Sequence, residues 1–487
     1  MGDRHVVIVG GGLSGLATGC YLRASGFRTT IIEHNLALGG VCTAWTRGPY
    51  TIDGCVQWLA GGPYAPIYEE LGIFPAVTAR TLSHLLTYRA PSAGINVSVT
   101  RDLDALVGAL ARVSAVDAPA MRDLVEAARH LANLTARSSA PATRAVGSTL
   151  RAAWEADGPS GLLAPYRATV ARWAEASLQS PALRRLFSSI VPPGSSALVL
   201  LFLLGYLERG WITRPVGGTA RFRNALVDTY ERLGGDVRVH ATVDEILVEG
   251  DRACGVRLAD GTLVRADAVV STSSTPETSL RLLGGRWAPA AHPSVPMTLF
   301  EPIVLASFGV AASFASSPPL LIVDAVTPFK IGDRENDCLR IRVCNDDDAF
   351  APAGHTVVQV IVKTDYEWWA TRGSRYTTSK DAVAAVLLSQ LAPIFPGIRE
   401  AVRVHDIATP LTFWSMARSW RGAYEGIAPS EASMFRDVEK TVAGLGDFYL
   451  AGQWVEPGSG APTALASGRQ AAERLCRDAR TPFVTPR

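Results

Sequence analysis

Residues 5–34 read HVVIVGGGLSGLATGCYLRASGFRTTIIEH, and this stretch decides the fold. Its first five residues form an apolar run that stops at glycines, as expected for a strand buried inside a parallel sheet. The apolar spacing that follows predicts a helix over Leu13–Ala24, which Gly26 breaks. A second strand is predicted over Thr29–Ile32 and ends at Glu33. Together these elements form one βαβ unit.

Three glycines follow the first strand at the spacing of a nucleotide-binding turn. Gly10, Gly12 and Gly15 fit the pattern G-x-G-x-x-G, which allows a tight turn, a close approach to a pyrophosphate and close packing of helix on strand. The pyrophosphate would lie at the helix N-terminus. Glu33 stands at the end of the second strand, where a carboxylate accepts hydrogen bonds from an adenosine ribose. The pattern predicts a dinucleotide site.

Two further features favour FAD over a nicotinamide cofactor. The loop Gly39–Thr43, shortly after Glu33, has a bare backbone that can pass close to the pyrophosphate. Near the other end of the chain, a strand and turn are predicted over Tyr449–Gln453. The helix that begins at Gly460–Thr463 would face the flavin pyrimidine ring, which is negative when reduced. We therefore expect FAD to be held from both ends of the chain.

The segment between these two ends begins with helices. An amphipathic helical pattern runs from Asp102 to about Leu134. Residues 135–148 are rich in Ala, Ser, Pro and Arg, and are predicted to be a surface connection inside a helical insertion at about 100–210. Another helix is predicted over Gly218–Leu233.

Strand patterns dominate the rest. From Asp236 onward the alternation predicts a hairpin added to the parallel sheet. Between about 286 and 425, apolar or alternating runs separated by Pro, Gly and Asp predict the antiparallel sheet of a second domain.

The predicted fold class is α/β with an α+β second domain. A Rossmann-like FAD-binding domain is interleaved with a substrate domain of antiparallel sheet plus helices. The FAD-binding domain is expected to be discontinuous, and the two domains divide the chain as follows: residues 1–80, 215–285 and 440–487 bind FAD, whereas residues 81–214 and 286–439 bind substrate.

Composition limits the classes of partner. The chain has 487 residues, 48% of them hydrophobic, and a formal net charge of only +2. This balance favours a globular protein that lacks the charge to bind nucleic acid or to coat an anionic membrane. Of the 47 basic residues only Lys330, Lys363, Lys380 and Lys440 are lysines, a bias typical of a GC-rich bacterial genome.

Cysteine usage and the chain start bear on location. The seven cysteines are never spaced as metal ligands and the eight histidines are scattered, so no metal site is predicted. Because a strand follows the first residues almost directly, we expect no secretory leader, a cytoplasmic location and free thiols.

The run Ala197–Leu207, ALVLLFLLGYL, raises the question of membrane contact. It is much shorter than the roughly 20 residues that a spanning helix needs. Two interpretations stay open: a buried helix of the substrate domain, or an apolar face at a substrate entrance that touches lipid and makes the protein membrane-peripheral.

Several motifs together resemble those of one flavoprotein branch across nearly the whole chain. They are VVIVGGGLSGLATGCYLRASGFRTTIIEH, ALGGVCTAW with PYTIDGCVQWLAGG, RPVGGTARFRNAL, VDEILVEGDRACGVRLADGTLVRADAVVST, TPLTFW with GAYEG, and FYLAGQWVEPGSGAPTALASGRQAA. The chain resembles the phytoene desaturase, carotenoid isomerase and retinol saturase branch of the amine-oxidase-type FAD flavoproteins. This resemblance implies an FAD-dependent oxidoreductase.

The resemblance also implies a set of cofactor contacts. The glycine turn would bind pyrophosphate, Glu33 the ribose, and the backbone of Val243 the adenine. The segment Val56–Leu59 would pass beside the isoalloxazine, and Pro215–Gly218 would approach its substrate side. The candidate cofactor-binding residues are Gly10, Gly12, Leu13, Ser14, Gly15, Glu33, His34, Gly40, Val41, Cys42, Gln57, Trp58, Val243, Gly452, Gln453, Ala461, Pro462 and Thr463.

Two positions depart from the wider superfamily. Many relatives have arginine after the double glycine, where this chain has Val41, so one phosphate contact must be replaced. Many have an acid after the glycine of the C-terminal strand, where this chain has Gln453, whose amide can still bond a ribityl hydroxyl. Both departures argue against a typical amine oxidase.

Candidate catalytic side chains are few, because flavin is the main reactive group in this branch. They are Glu208, Arg209, Arg214 and Tyr424, with Tyr206 and Glu425 as neighbours. Each also has a structural interpretation: a solvated pair for Glu208 and Arg209, and a core aromatic for Tyr424. Cys42 and Cys55 flank the flavin loop and are expected to be structural thiols, because no histidine is near them in the sequence.

Three hypotheses of function follow. The first is an enzyme that desaturates, saturates or isomerises a conjugated polyene or isoprenoid-like apolar substrate. The second is a flavoenzyme that tailors or reductively cyclises a polyene polyketide in secondary metabolism. The third is a non-catalytic lipid-binding escort protein on the same fold. NAD(P)H as external reductant would act without a domain of its own, since no second nucleotide fingerprint occurs, and the sequence leaves the oligomeric state open.

Overall fold

The computed structural model describes residues 4–55, 57–137, 146–287, 298–434 and 438–487. The strands in these residues are β1 (His5–Val9), β2 (Arg28–Ile32), β3 (Ala44–Arg47), β4 (Tyr50–Asp53), β5 (Leu59–Ala60), β6 (Ala79–Thr81), β7 (His84–Ala90), β8 (Ile95–Thr100), β9 (Ile212–Pro215), β10 (Asp236–Arg238), β11 (Val243–Glu249), β12 (Arg252–Leu258), β13 (Leu263–Arg265), β14 (Ala268–Ser271), β15 (Ile303–Val310), β16 (Leu320–Ile331), β17 (Arg334–Cys344), β18 (Thr356–Lys363), β19 (Val402–Ala408), β20 (Thr441–Val442) and β21 (Leu445–Leu450).

The helices in the described residues are α1 (Leu13–Ala24), α2 (Ala65–Glu70), α3 (Ile73–Ala76), α4 (Leu103–Val113), α5 (Ala118–Arg137), α6 (Val146–Asp157), α7 (Val170–Ser177), α8 (Pro181–Ile190), α9 (Leu198–Glu208), α10 (Gly218–Arg232), α11 (Tyr366–Ala370), α12 (Tyr376–Leu391), α13 (Ile398–Ala401), α14 (Pro410–Ala417), α15 (Glu431–Met434) and α16 (Gly460–Asp478).

The first sheet is built on the predicted βαβ unit, which the structure confirms. Its strand order is β10-β2-β1-β14-β21-β12-β11, and β1 pairs in parallel with β2 and with β14. Strands β2 and β14 pair with β1 on its two sides. Val7 and Ile8 of β1 have no exposed surface. A strand buried on both faces needs the continuous apolar run that the sequence shows.

The predicted hairpin is a three-stranded meander instead. Strand β12 pairs in antiparallel fashion with both β11 and β13. Between β13 and β14 lies Asp267, whose side chain accepts a hydrogen bond from the His5 N–H at 2.7 Å. That contact leads the chain out of the meander, so that β14 joins β1 in the parallel sheet.

Helices α1 and α16 pack tightly on one face of this sheet. A Cβ on Gly468 would lie 2.5 Å from the carbonyl oxygen of Ser14, so only glycine allows this approach. The Ser14 hydroxyl donates to the Ala464 carbonyl at 2.9 Å. The two chain ends therefore form one layer, with the N-termini of both helices at the same edge of the sheet.

The second sheet has the strand order β19-β15-β18-β17-β16-β7-β8. The predicted antiparallel character holds for β15 to β19, whereas β16 and β7 pair in parallel. Strands β7 and β8, which the sequence analysis missed, come from the segment before the helical insertion. The domain boundaries themselves stay a prediction.

The helical insertion contains α4 to α9. Helix α6 begins at Val146, so the last residues of the expected surface connection are helical, and residues 138–145 lie outside the described part. Helix α9 carries the apolar run, and all its residues from Leu200 to Leu207 are buried, which confirms the buried-helix interpretation. Among the residues that the structure describes, no helix is both long and apolar enough to cross a membrane.

Candidate functional site

A cavity of about 1080 Å³ lies between the two sheets and gathers most of the predicted cofactor-binding residues. Its walls combine the edge of the parallel sheet with the helical insertion and the antiparallel sheet. The predicted residues that line it are Gly10, Gly12, Leu13, Ser14, Glu33, His34, Gly40, Val41, Cys42, Gln57, Trp58, Gly452, Gln453, Ala461 and Pro462. Residues from both chain ends thus border one space.

Three predicted residues do not line the cavity. A Cβ on Gly15 would lie 2.0 Å from the Gly10 carbonyl oxygen, so Gly15 serves the turn itself. Thr463 is buried, and its hydroxyl oxygen accepts from the Val146 N–H at 3.4 Å. The carbonyl of Val243 accepts from the Arg281 guanidinium at 3.0 Å.

The first helix presents uncapped N–H groups to the cavity. Gly12, the N-cap of α1, has an extended backbone and no side chain to accept from the first turn. A Cβ on Gly12 would meet only the Gly39–Gly40 backbone, at 3.9 Å or more. Unpaired N–H groups and the positive end of the helix dipole bind anions. This open backbone therefore fits a pyrophosphate.

The carboxylate of Glu33 is fixed beside that turn. One oxygen accepts from the Gly11 N–H at 2.8 Å, and the other accepts from the Asn35 N–H at 2.9 Å and contacts the His34 ring at 3.0 Å. Burial raises the pKa of Glu33, but hydrogen bonds from His34, Asn35 and Gly11 outweigh it and hold the pKa below its usual value. Glu33 is therefore an ionised acceptor at the cavity wall, as a ribose contact requires.

The Gly39–Cys42 loop lies on the glycine turn, since the Gly39 N–H donates to the Gly11 carbonyl at 2.8 Å. Val41 packs against an apolar cluster that includes Ile303, Leu305 and Phe413. An arginine at this position would meet those apolar side chains. The surroundings of Val41 thus explain why this chain departs from the superfamily here.

The C-terminal turn closes the opposite wall. The Gly452 N–H donates to the Ser467 hydroxyl at 2.9 Å, which ties the turn to α16. The Gln453 side chain donates from Nε2 to the Tyr424 carbonyl at 2.9 Å. Helix α16 has no side-chain cap, so its first N–H groups also border the cavity. A second helix N-terminus is thus available to a negative group.

Tyr424 and Glu425 both line the cavity beside this helix start. The Glu425 carboxylate accepts from the Ser459 hydroxyl at 3.4 Å. Burial raises the pKa of Glu425 to about 7, against the opposing effects of Ser459 and Arg340. Burial also raises the pKa of Tyr424, whose ring packs between Phe300 and Phe413. Glu425 is thus the carboxyl group in this wall that exchanges a proton near neutral pH.

The structure does not bring the other three candidate catalytic residues to the cavity. Glu208 accepts from the Arg129 guanidinium at 2.7–3.1 Å, and Arg209 donates to Asn133. Arg214 donates to the Gln57 carbonyl at 2.9 Å and to Asp346 at 2.5 Å. These are structural contacts, although Arg214 holds in place the segment that carries Gln57. Val56 lies outside the described residues.

Sequence reasoning missed a buried charged group on the cavity wall. Asp53, at the end of β4, accepts from the Thr219 N–H at 3.1 Å, and its carboxylate lies 3.5 Å from the Arg342 guanidinium. Gln359 donates to the Asp53 carbonyl at 2.9 Å. These partners lie far from Asp53 along the chain. The signal in the sequence was an aspartate at the end of the strand pattern YTID.

The rest of the cavity is lined by apolar side chains and by charged ones, which include Arg184, Arg185, Glu301, Asp337, Arg340, Arg342 and Lys363. Helix α9 contributes three side chains from one face, and the antiparallel sheet contributes a row of branched residues. The apolar lining residues are Ile190, Val191, Val199, Phe202, Leu203, Phe300, Ile303, Leu305, Ile322, Ile361 and Phe413. One wall of the cavity therefore suits phosphates and ring edges, and the other suits hydrocarbon.

Comparisons with known proteins agree with this geometry. Residues 13–476 match the family described as flavin containing amine oxidoreductase. The lycopene-forming phytoene desaturase of Pseudescherichia vulneris is 25% identical over 98% of this chain and 99% of its own length. The chloroplastic prolycopene isomerase of Arabidopsis thaliana is 21% identical over 55% of this chain and 46% of its own. These matches confirm the resemblance drawn from the motifs.

A solved structure shows the same fold. An oxidoreductase from Methanosarcina mazei superposes with a TM-score of 0.64 at 16% identity, over 96% of this chain and all of its own. At that identity the likeness establishes architecture, with no statement about substrate.

Proposed function

This chain belongs to the flavin-containing amine oxidoreductases and is an FAD-dependent oxidoreductase, and from this premise we propose that its substrate is a conjugated polyene or isoprenoid-like chain. The reaction we propose is desaturation, saturation or cis/trans isomerisation of that chain. One observation carries the proposal: a single cavity of about 1080 Å³ joins the nucleotide wall to a wall of branched and aromatic side chains.

The residues of the nucleotide wall fit FAD. We assign the pyrophosphate to the N-terminus of α1 and the backbone of Gly12 and Gly40, and the ribose to Glu33. We assign the flavin ring to the space between Gln57, Trp58 and the start of α16. When bound there, FAD supplies hydride transfer.

The apolar wall supports a hydrocarbon substrate. Val199, Phe202 and Leu203 of α9 line the same cavity as branched residues of the antiparallel sheet. Burial of apolar surface contributes about 25 cal/mol per Å², so a long hydrocarbon gains affinity from contact with these side chains. Relatives named for polyene substrates over the full chain length support the same class.

Glu425 is the residue we assign to proton handling in this reaction. A pKa of about 7 lets the carboxyl group hold or release a proton at neutral pH. Saturation and acid-assisted isomerisation both need a proton at a substrate carbon, and Glu425 lies in the wall that the substrate would contact.

The test is an anaerobic spectroscopic titration of the purified yellow protein. Reduction with NADPH or dithionite is followed by addition of linear polyenes, and in parallel of primary amines, with flavin absorbance as the readout. We expect at least one polyene to exchange electrons with the flavin, and amines to have no effect. Flavin that responds to amines alone would contradict the proposal. A colourless protein that cannot be reconstituted with FAD would favour the binding-protein hypothesis instead.

The polyketide alternative uses the same site. A polyene polyketide carries oxygen substituents, so a panel that includes oxygenated and hydrocarbon polyenes of equal length separates the two substrate classes. Turnover of the oxygenated members alone would favour the tailoring enzyme.

A further inference from the structure

Two cysteines face each other across the end of a hairpin. Strands β3 and β4 are antiparallel, with Ala44 paired to Asp53. One step beyond the strands, the Gly54 N–H donates to the Thr43 carbonyl at 3.0 Å, whereas the Thr43 N–H donates to the Val41 carbonyl, so the ladder ends at this step. The next opposed positions are Cys42 and Cys55. Because the whole hairpin separates them in the sequence, their spacing alone does not indicate that they meet.

The backbone amides of the two cysteines have partners of their own. The Cys42 N–H donates to the Gly39 carbonyl at 3.0 Å, and the Cys55 N–H donates to the Asp53 carboxylate at 3.2 Å. Neither amide bonds across the hairpin, so no backbone hydrogen bond between the two residues has to break when their sulfurs join.

The two thiols already contact each other. All seven cysteines are free, and the Cys42 and Cys55 side chains hydrogen-bond one another. That hydrogen bond, together with burial, raises the pKa of Cys42 well above the usual thiol value. Cys42 is buried, whereas Cys55 is exposed. An external thiol or disulfide therefore reaches Cys55 first, and Cys42 acts second.

The pair lies in the cavity wall where we place the flavin. Both cysteines line the cavity, as do Gly40 of the pyrophosphate loop and Gln57 of the predicted ring site. A dithiol at this position offers a route for electrons to and from a flavin bound there.

We propose that Cys42 and Cys55 form a reversible dithiol–disulfide couple that exchanges two electrons with the flavin and, through Cys55, with an external dithiol. The proposal rests on FAD occupying the cavity. In one direction, a sulfur–sulfur bond forms as both thiols give up a proton and together two electrons; bound oxidised flavin would accept both electrons and one proton, and the other proton passes to solvent. One sulfur of an external dithiol then attacks Cys55 and displaces Cys42, its second sulfur displaces Cys55, both cysteines are left as thiols, and the external molecule departs as a disulfide. Operated in reverse, with an external disulfide as oxidant, the couple removes electrons from reduced flavin.

The first experiment tests the pair alone. The full-length protein as purified is treated with oxidised glutathione, its remaining thiols are alkylated, and the peptides are identified by mass spectrometry. We expect two thiols per chain to be lost and a peptide that links Cys42 to Cys55. Cys254→Ser, a change in β12 outside the cavity lining, should behave like the wild type, and Cys55→Ser should lose the linked peptide. Absence of the linked peptide in the wild type overturns the proposal whether or not FAD is present.

The second experiment tests the coupling to flavin. The oxidised holoprotein is mixed anaerobically with dithiothreitol, and bleaching of the flavin is followed. We expect wild-type and Cys254→Ser flavin to be reduced at least tenfold faster than Cys55→Ser flavin. We also expect oxidised wild type to take up twice as much dithionite as Cys55→Ser before full bleaching. Equal rates in all three proteins would overturn the electron route. These readouts need no substrate, so they are independent of the polyene assignment.

Discussion

A Cβ on Gly15 would lie 2.0 Å from the carbonyl oxygen of Gly10, so the third glycine of the turn is fixed by the protein's own backbone. We expect Gly15→Ala to destabilise the fold by about 1–3 kcal/mol, because the backbone of α1 must move away from the turn. Urea unfolding of the purified variant measures this cost. Wild-type stability would contradict the assigned role of Gly15.

Gly12 is the matched control, since its backbone is in a conformation open to alanine and a Cβ there would have no neighbour closer than 3.9 Å. We expect Gly12→Ala to change stability by no more than about 0.5 kcal/mol. Its methyl group would occupy the path of the pyrophosphate, so FAD affinity should fall at least about tenfold, or 1.4 kcal/mol. Fluorescence titration of the apoprotein with FAD measures this. Unchanged affinity would contradict the assignment of the pyrophosphate to the N-terminus of α1.

Glu33 should make stability depend on pH. Its pKa is lowered in the folded protein, so its stabilising effect is present above the unfolded value of about 4.5 and is lost as pH falls through the folded pKa. We expect Glu33→Gln to cost about 1–3 kcal/mol at pH 7, because bonds to Gly11 and Asn35 are weakened. The difference from wild type should narrow at pH 4 in urea unfolding. A difference that stays constant across this range would show that the carboxylate charge contributes nothing.

Glu425 should determine how the rate of turnover falls at high pH. Its pKa of about 7 is above the unfolded value, so it favours the folded state most below pH 4.5, and this contribution is lost as pH rises through 7. If the protonated carboxyl takes part in turnover, the rate should fall above pH 7, and Glu425→Gln should abolish that limb. The measurement is the rate of flavin reoxidation by a polyene between pH 5 and 9.

Glu208→Gln is the comparison for Glu425→Gln. Glu208 pairs with Arg129 away from the cavity, and both side chains are partly exposed. Its loss should cost no more than about 1 kcal/mol of stability and leave the pH profile unchanged. A shifted profile would restore Glu208 as a catalytic candidate.

Leu203 should control access of the substrate chain. It lines the cavity from α9, together with branched residues of the antiparallel sheet. We expect Leu203→Trp to weaken binding of a long polyene at least about tenfold, since the larger ring fills space that the chain needs. Flavin absorbance should stay unchanged. Leu200→Met, a change of similar volume on the same helix away from the cavity, should bind the polyene normally.

The parts of the fold that local pattern determines were predictable. The βαβ unit follows from an apolar run, a glycine turn and helical spacing within one short segment, and helix α1 has the predicted bounds. Strands β7 and β8 were missed because their place depends on β16, which lies beyond the whole helical insertion and the meander in the sequence. Alternation alone does not tell which sheet a strand joins.

In the candidate site, too, local sequence patterns predicted some residues, and contacts between distant segments determined the others. Glycines and Glu33 were found because their spacing is a local signature of nucleotide binding. Glu208 and Arg209 were candidates from their place in the sequence shortly before the Gly217–Gly218 turn, but neither residue lines the cavity. The contact of Cys42 with Cys55 depends on hairpin register, which fixes the pairing only once the turn is known.

The packing of α1 on α16 also affects when the cofactor site can form during synthesis of the protein. Ser14 donates to the carbonyl of Ala464, 450 residues later, so the two halves of the nucleotide pocket are synthesised far apart in time. At the usual rate of about 5–20 residues per second, the ribosome takes roughly 20–90 s to cover that interval. The glycine turn is therefore translated long before α16, which completes the pocket. We expect a truncated product that lacks α16 to be colourless.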